Sequence, residues 1–151
     1  MQLFMGWLLI ILPGILYVGQ LISSINFPLA QRMGLQEDPD EADLLLQRAE
    51  RYTAYWDLVT LVWMPLAGIL MVIDNSVWPL FALFGGAIYL DAAGREAAKI
   101  LSFRHEGVRI GPPKQHRIFI ATYFIMAVLA VAVLVYSLGE LVKVLSAAGA
   151  I

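Results

Sequence analysis

Residues 52–76 read YTAYWDLVTLVWMPLAGILMVIDNS. From Tyr52 to Ile73 the only charged side chain is Asp57. At about 1.5 Å of rise per residue, a run of this kind meets the roughly 20 residues that a bilayer core requires. Asp74-Asn75-Ser76 then supplies three strong turn formers, and an apolar stretch resumes at Val77. Two apolar helices joined by a short polar turn are the signature of an antiparallel pair of membrane spans.

The same pattern extends in both directions. The expected spans are about 3–25, 52–73, 77–93 and 118–138, within a single transmembrane domain covering 1–151. The expected fold is an all-α, polytopic, antiparallel four-helix bundle. Pro13-Gly14 marks a loosened turn in the first span, tolerable where neighbouring helices satisfy the freed carbonyl. The run before it carries no Lys or Arg, and no small-x-small cleavage pattern follows it. The first stretch is therefore expected to be a retained helix rather than a signal peptide. Asp40 followed by Asp43 predicts a helix start with an acidic first turn.

Composition agrees with a membrane domain. The 151 residues are 60% hydrophobic and 15% charged, with mean hydropathy +0.76. A soluble domain is nearer half apolar with about a quarter charged. The net charge of −2 offers no footprint for nucleic acid. The absence of cysteine excludes disulfides and thiolate chemistry.

Basic residues set the expected orientation. Segment 26–51 holds Arg32, Arg48 and Arg51, and segment 94–117 holds Arg95, Lys99, Arg104, Arg109, Lys114 and Arg117; Lys143 stands alone on the other side. The positive-inside rule puts 26–51 and 94–117 in the cytoplasm and both termini on the outer side of a bacterial-type inner (cytoplasmic) membrane. Tyr52, Tyr55 and Trp56 inside, with Trp7 and Trp78 outside, suit the interfacial belts.

The strongest candidate site is a polar layer in the cytoplasmic half. Asp57 lies 18 residues before Asn75 and Asp91 lies 16 after it, so both sit about 24–27 Å from the turn. Thr53, Asp57 and Thr60 share one helix face. Ala87, Asp91, Gly94 and Ala98 share another, and small residues mark a packing face. A cavity lined by Gln20, Asp57, Thr60 and Asp91, with Arg51 and Arg95 as counter-charges, is the expectation. Intramembrane ionisable groups point to function by default, but an Asp–Arg pair near the boundary also serves simply to fasten helices.

Two further faces are candidates for a partner helix: the stripe Trp56 and Trp63, seven residues apart on one helix face, and the small pair Ala82 and Gly86. The stripe would equally accept a bound lipid or quinone. No cofactor is predicted. The spans contain no histidine, so an intrinsic haem lacks axial ligands. His105 and His116 are expected to be solvated loop residues. The acidic run Glu37–Asp43 lacks the glycine and terminal Glu of a calcium loop. No phosphate loop, nucleophile elbow, zinc helix or dinucleotide fingerprint occurs.

Leu44-Leu45-Leu46-Gln47-Arg48-Ala49-Glu50-Arg51, followed by Met64-Pro65-Leu66-Ala67-Gly68, resembles the corresponding stretch of small bacterial four-span proteins of the copper-resistance D type and their relatives. The resemblance covers most of the chain in layout and implies the same four-span plan. Haem-binding members carry a histidine in span one and another in span three. Neither is present here, so the resemblance implies no redox role.

With no catalytic motif, the chain is expected not to be an enzyme. Its leading expected role is an accessory or assembly subunit of a larger membrane complex, with the bilayer and other membrane proteins, or itself, as partners. The alternative is a small proton- or cation-linked carrier or channel built on the Asp pair.

Overall fold

A computed structural model describes residues 1–148. Among the described residues its regular secondary structure is helical, with one isolated antiparallel bridge between Ala42 and Ile110. The elements are α1 (Gln2–Ile25), α2 (Phe27–Arg32), α3 (Leu44–Thr60), α4 (Trp63–Val72), α5 (Trp78–His105) and α6 (Pro113–Ala147). Three stretches, Gln2–Ile25, Leu44–Val72 and Pro113–Ala147, are long and apolar enough to cross a membrane. α5 is 28 residues long but falls outside that group, because Trp78, Pro79, Tyr89, its glycines and the charges from Asp91 onward lower its hydropathy.

Local chemistry explains most of the element ends. The expected span 52–73 is interrupted at Leu61-Val62. Pro65 has no N–H to offer the carbonyl of Leu61, four residues back, so the helical ladder cannot run through unbroken. The buried Tyr89 hydroxyl lies 3.4 Å from that carbonyl. α3 begins at Leu44, later than the acidic run predicts. Asp43 is the cap, its side chain accepting from the Leu45 N–H at 2.9 Å, while Asp38 holds the Asp40 N–H in a local turn. Pro13 stays inside a continuous α1.

The turn after α4 closes with Asn75 N–H to Leu70 O at 2.9 Å and Asp74 N–H to Met71 O at 3.3 Å. Asp74 takes the left-handed position at φ 54°, where Asp is among the few non-glycine residues tolerated. Gly34 does the same work after α2 at φ 72°, with Leu35 N–H reaching Ala30 O.

α1 packs along α4 and α3, α4 along α5, and α5 along α6. The end bearing the 74–76 turn also holds the start of α1, where Gln2 Nε2 donates to Met71 O and Asp74 Oδ1. There too Trp78 stacks on Tyr136 of α6, ring centres 5.4 Å apart. The opposite end is polar and stitched together. Asp43 N–H donates to Arg109 O, and Gln47 Nε2 to Pro39 O and Ala42 O.

Small residues set the helix spacings. A Cβ built on Gly68 of α4 would lie 2.7 Å from the Gly6 carbonyl oxygen and 2.9 Å from the Ile10 nitrogen of α1. Ala82 and Gly86 face inward rather than toward a partner. Ala82 is fully buried, and a Cβ on Gly86 would meet Leu134 of α6 at 2.9 Å. These two residues are spent on close helix approach inside the fold. The core beside them is built from Leu9, Met64, Met71, Tyr89 and Val133. Outward-facing Ile15, Val18, Phe124, Val128 and Val135 remain exposed, and so large an apolar surface needs a non-aqueous cover.

Gly68→Ala is expected to lower stability by about 1–3 kcal/mol, because the obstructing atoms are backbone. Gly14→Ala, where nothing lies within 4 Å, is the control and should leave the thermal midpoint in mild detergent unchanged or raised. Equal midpoints for the two variants would contradict the packing.

Candidate functional site

Five segments converge on a cavity of about 210 Å³ in the polar half of the bundle. α3 presents Glu50, Thr53 and Asp57, spaced so that one helix face carries all three. α5 presents Ala92 and Glu96, with Lys99 one turn further on. α1 contributes Leu16, Gln20 and Ser23, and α6 contributes Phe119, Thr122, Tyr123 and Met126. The fifth segment, residues 33–43, is a strap between α2 and α3 that inserts Gln36 and Glu37.

The strap is tied on three sides. Gln36 Nε2 donates to Ser23 Oγ at 3.0 Å in a buried bond. Gln36 O accepts from Gln115 Nε2 at 2.5 Å. Glu37 O accepts from Gln31 Nε2 at 3.1 Å. These bonds hold the Glu37 side chain inside, 5% exposed, with no hydrogen-bond donor on its Oε2.

Charge is arranged in two groups. Lys99 Nζ lies 2.5 Å from Glu50 Oε1 and also pairs with Glu96, clamping α3 to α5 inside the bundle. Arg95 sits at the rim and reaches Asp91 at 3.0 Å, Asp57 at 3.7 Å and Glu96 at 4.0 Å. Of the cavity carboxyls Glu37, Glu50, Asp57 and Glu96, Glu37 alone has no cation within ion-pair distance among the described residues. Burial pushes its pKa up from 4.5 to about 8, with repulsion from Glu50 adding to the effect.

The residues singled out from the sequence divide. Gln20 and Asp57 line the cavity, and Gln20 Oε1 has no partner. Arg95 lies between the cavity and the outside. Asp91 does not meet Asp57 inside the bundle. Its side chain is 70% exposed, on an outer groove with Trp56, Thr60 and Phe84. Arg95 reaches both Asp57 and Asp91, as their similar expected depth requires, but α5 turns its other face into the bundle. Ala87, Asp91, Gly94 and Ala98 are all exposed, while Tyr89, Ala92, Ala93 and Glu96 face inward. Both faces of α5 are rich in small residues, so smallness alone does not distinguish them.

Thr60 donates to Trp56 O on the outer side, and Arg51 is exposed with no ion pair among the described residues. Trp63 packs on Phe81 and Phe84, leaving Trp56 as the exposed part of that stripe. His105 is exposed, but His116 is 4% exposed, buried in the first turn of α6 with no partner on Nε2.

Glu37, Glu50, Glu96 and Lys99 are the site residues that sequence reasoning missed. For three of them a signal existed: Glu50 lies seven residues before Asp57, and Glu96 and Lys99 lie three apart on one helix. Glu37 gave none, being hidden in an acidic run that reads as solvated. No group of three or more His, Asp or Glu is disposed to hold a metal among the described residues. Comparison with family models, with curated proteins and with solved structures finds no match.

Two outcomes follow from this charge arrangement. Lys99→Met strands two buried carboxylates, and breaking such a pair costs roughly 3–5 kcal/mol. Adding Glu96→Gln should recover part of the lost thermal midpoint, and no recovery would refute the clamp. Glu37 has the raised-pKa sign. Its contribution to stability is complete below about pH 4.5 and is lost as pH rises through about 8. The midpoint should therefore fall across this window in the wild type and fall less in Glu37→Gln.

Proposed function

We propose that the chain is a four-span protein of a bacterial-type inner membrane and works as a small proton- or cation-linked carrier through its acidic cavity. α5 is the fourth span in this reading. At 28 residues it reaches about 42 Å. Lying between α4 and α6, it needs less apolar surface than a helix surrounded by lipid. The polar end, with nine of the ten Lys and Arg residues, faces the cytoplasm, and both termini face outside.

The observation that carries the functional reading is Glu37, a buried carboxyl that lines the cavity and has an unpartnered oxygen. Buried carboxyls with a purely structural role are normally ion-paired or hydrogen-bonded. Lys99 with Glu50 and Glu96 has that structural character; Glu37 does not. Between the cavity and the outer end lie the fully buried Leu9, Met64, Tyr89 and Val133. Transport therefore requires the helices to part there.

The test is flux in proteoliposomes carrying an internal pH dye. An imposed pH gradient should collapse faster with wild-type protein. Asp57→Asn and Glu37→Gln should slow this at least tenfold, while Asp91→Asn on the outer groove should not. Wild-type vesicles indistinguishable from empty ones would overturn the carrier.

One observation favours a second reading, an accessory subunit of a larger membrane complex. The Asp91–Arg95 pair lies exposed beside the exposed Trp56, a mixed polar and aromatic surface suited to a partner helix. Native mass spectrometry of protein extracted from its own membrane tests this. Additional polypeptides at fixed ratio, lost in Trp56→Ala, would support the subunit, and the bare chain or a homo-oligomer would refute it.

A further inference from the structure

We infer that the cavity binds a small monovalent organic cation with an apolar body, which takes the place of the Glu37 proton. The inference rests on the carrier reading for its setting but not for its chemistry. Glu37, Glu50, Asp57 and Glu96 approach the cavity, against Lys99 and the rim residue Arg95. Arg95 is shared with Asp91 outside. The site therefore carries more acid than base and repels anions. A neutral solute cannot take the place of the Glu37 proton, because it brings no charge to pair with the carboxylate.

The walls narrow the class further. Besides the polar Gln20, Ser23 and Thr122, α1 and α6 line the cavity with Leu16, Phe119 and Met126, apolar surface that a bare inorganic ion would leave uncovered. It suits hydrocarbon, and two of the lining residues, Phe119 and Tyr123, are aromatic, a side-chain type that attracts ammonium groups. At about 210 Å³ the space is below that of pockets for drug-sized ligands and fits a small amine.

The second, independent observation is the Glu37 carboxyl. It is 5% exposed, its Oε2 accepts no hydrogen bond, and the strap bonds fix it facing inward. The groups facing it are Glu50 and Asp57 on α3, Glu96 and Lys99 on α5, and Tyr123 on α6. α1 offers the uncharged Gln20 and Ser23. Burial, and Glu50 after it, keep Glu37 protonated up to about pH 8. When the cation binds, the Glu37 O–H bond breaks, the proton leaves to solvent, and the carboxylate pairs with the cation. The exchange conserves charge, one proton out for one cation in.

Benzyltrimethylammonium is a suitable probe, because it has no proton of its own to release. The expected result is saturable binding to the detergent-solubilised full chain, with close to one proton released per cation at about pH 7. Apparent affinity should improve about tenfold per pH unit up to about 8. Benzyl alcohol and sodium should not compete. Glu37→Gln should bind at least tenfold more weakly and release no proton.

Wild-type protein that binds nothing, binds without releasing a proton, or binds benzyl alcohol equally well would overturn the inference. None of these depends on the variant folding. The two readings fail separately. Binding with proton release but no flux in vesicles would keep the ligand and remove the carrier. Proton flux with no cation binding would do the reverse.

Discussion

A single ammonium group holds the polar half of this bundle together. Lys99 lies between Glu50 of α3 and Glu96 of α5, and removing charges from water is affordable only when such pairing is close. With Lys99 in place, α3 and α5 bring an acidic face into the bundle. Without it the two carboxylates would repel each other and draw water between the helices. The cavity exists because this clamp fixes one wall while α1 and α6 supply the other. The strap then closes the end through Gln36 and its bonds to Ser23 and Gln115.

The other half is organised by size rather than charge. Gly6 against Gly68 and Gly86 against Leu134 bring α1 to α4 and α5 to α6 at distances that leave no room for a methyl group. Lipid-like surroundings provide no hydrophobic force between helices, so close packing must hold them. The result is a molecule tightly packed at the end bearing the 74–76 turn and polar, with a cavity, at the other. That asymmetry suits the proposed binding site, which lies at one end of the bundle.

Much of the architecture was legible in the sequence, because apolar run length and turn residues act locally. The 74–76 turn and the helical stretches follow from them directly. The break at Leu61-Val62 was legible in principle, since Pro65 announces it, but an apolar run masks a backbone fault. The site was read only in part. Asp57 stood out as a charge in an apolar run, and Gln20 fell at the same depth. Asp91 stood out equally and faces away, because the rotation of α5 depends on which of two small-residue faces meets α6. Glu37 is buried by tertiary folding of the strap, and no local pattern encodes that.

The central claim is that a carboxyl in this cavity stays protonated at neutral pH and waits for a cation. Infrared spectroscopy of the protein in lipid reads it directly, by following the carbonyl stretch of protonated carboxyl groups against pH. The account predicts a band that persists at neutral pH, vanishes as pH rises through about 8, and is missing in Glu37→Gln. A band that is already gone at neutral pH, or that survives unchanged in Glu37→Gln, would contradict it.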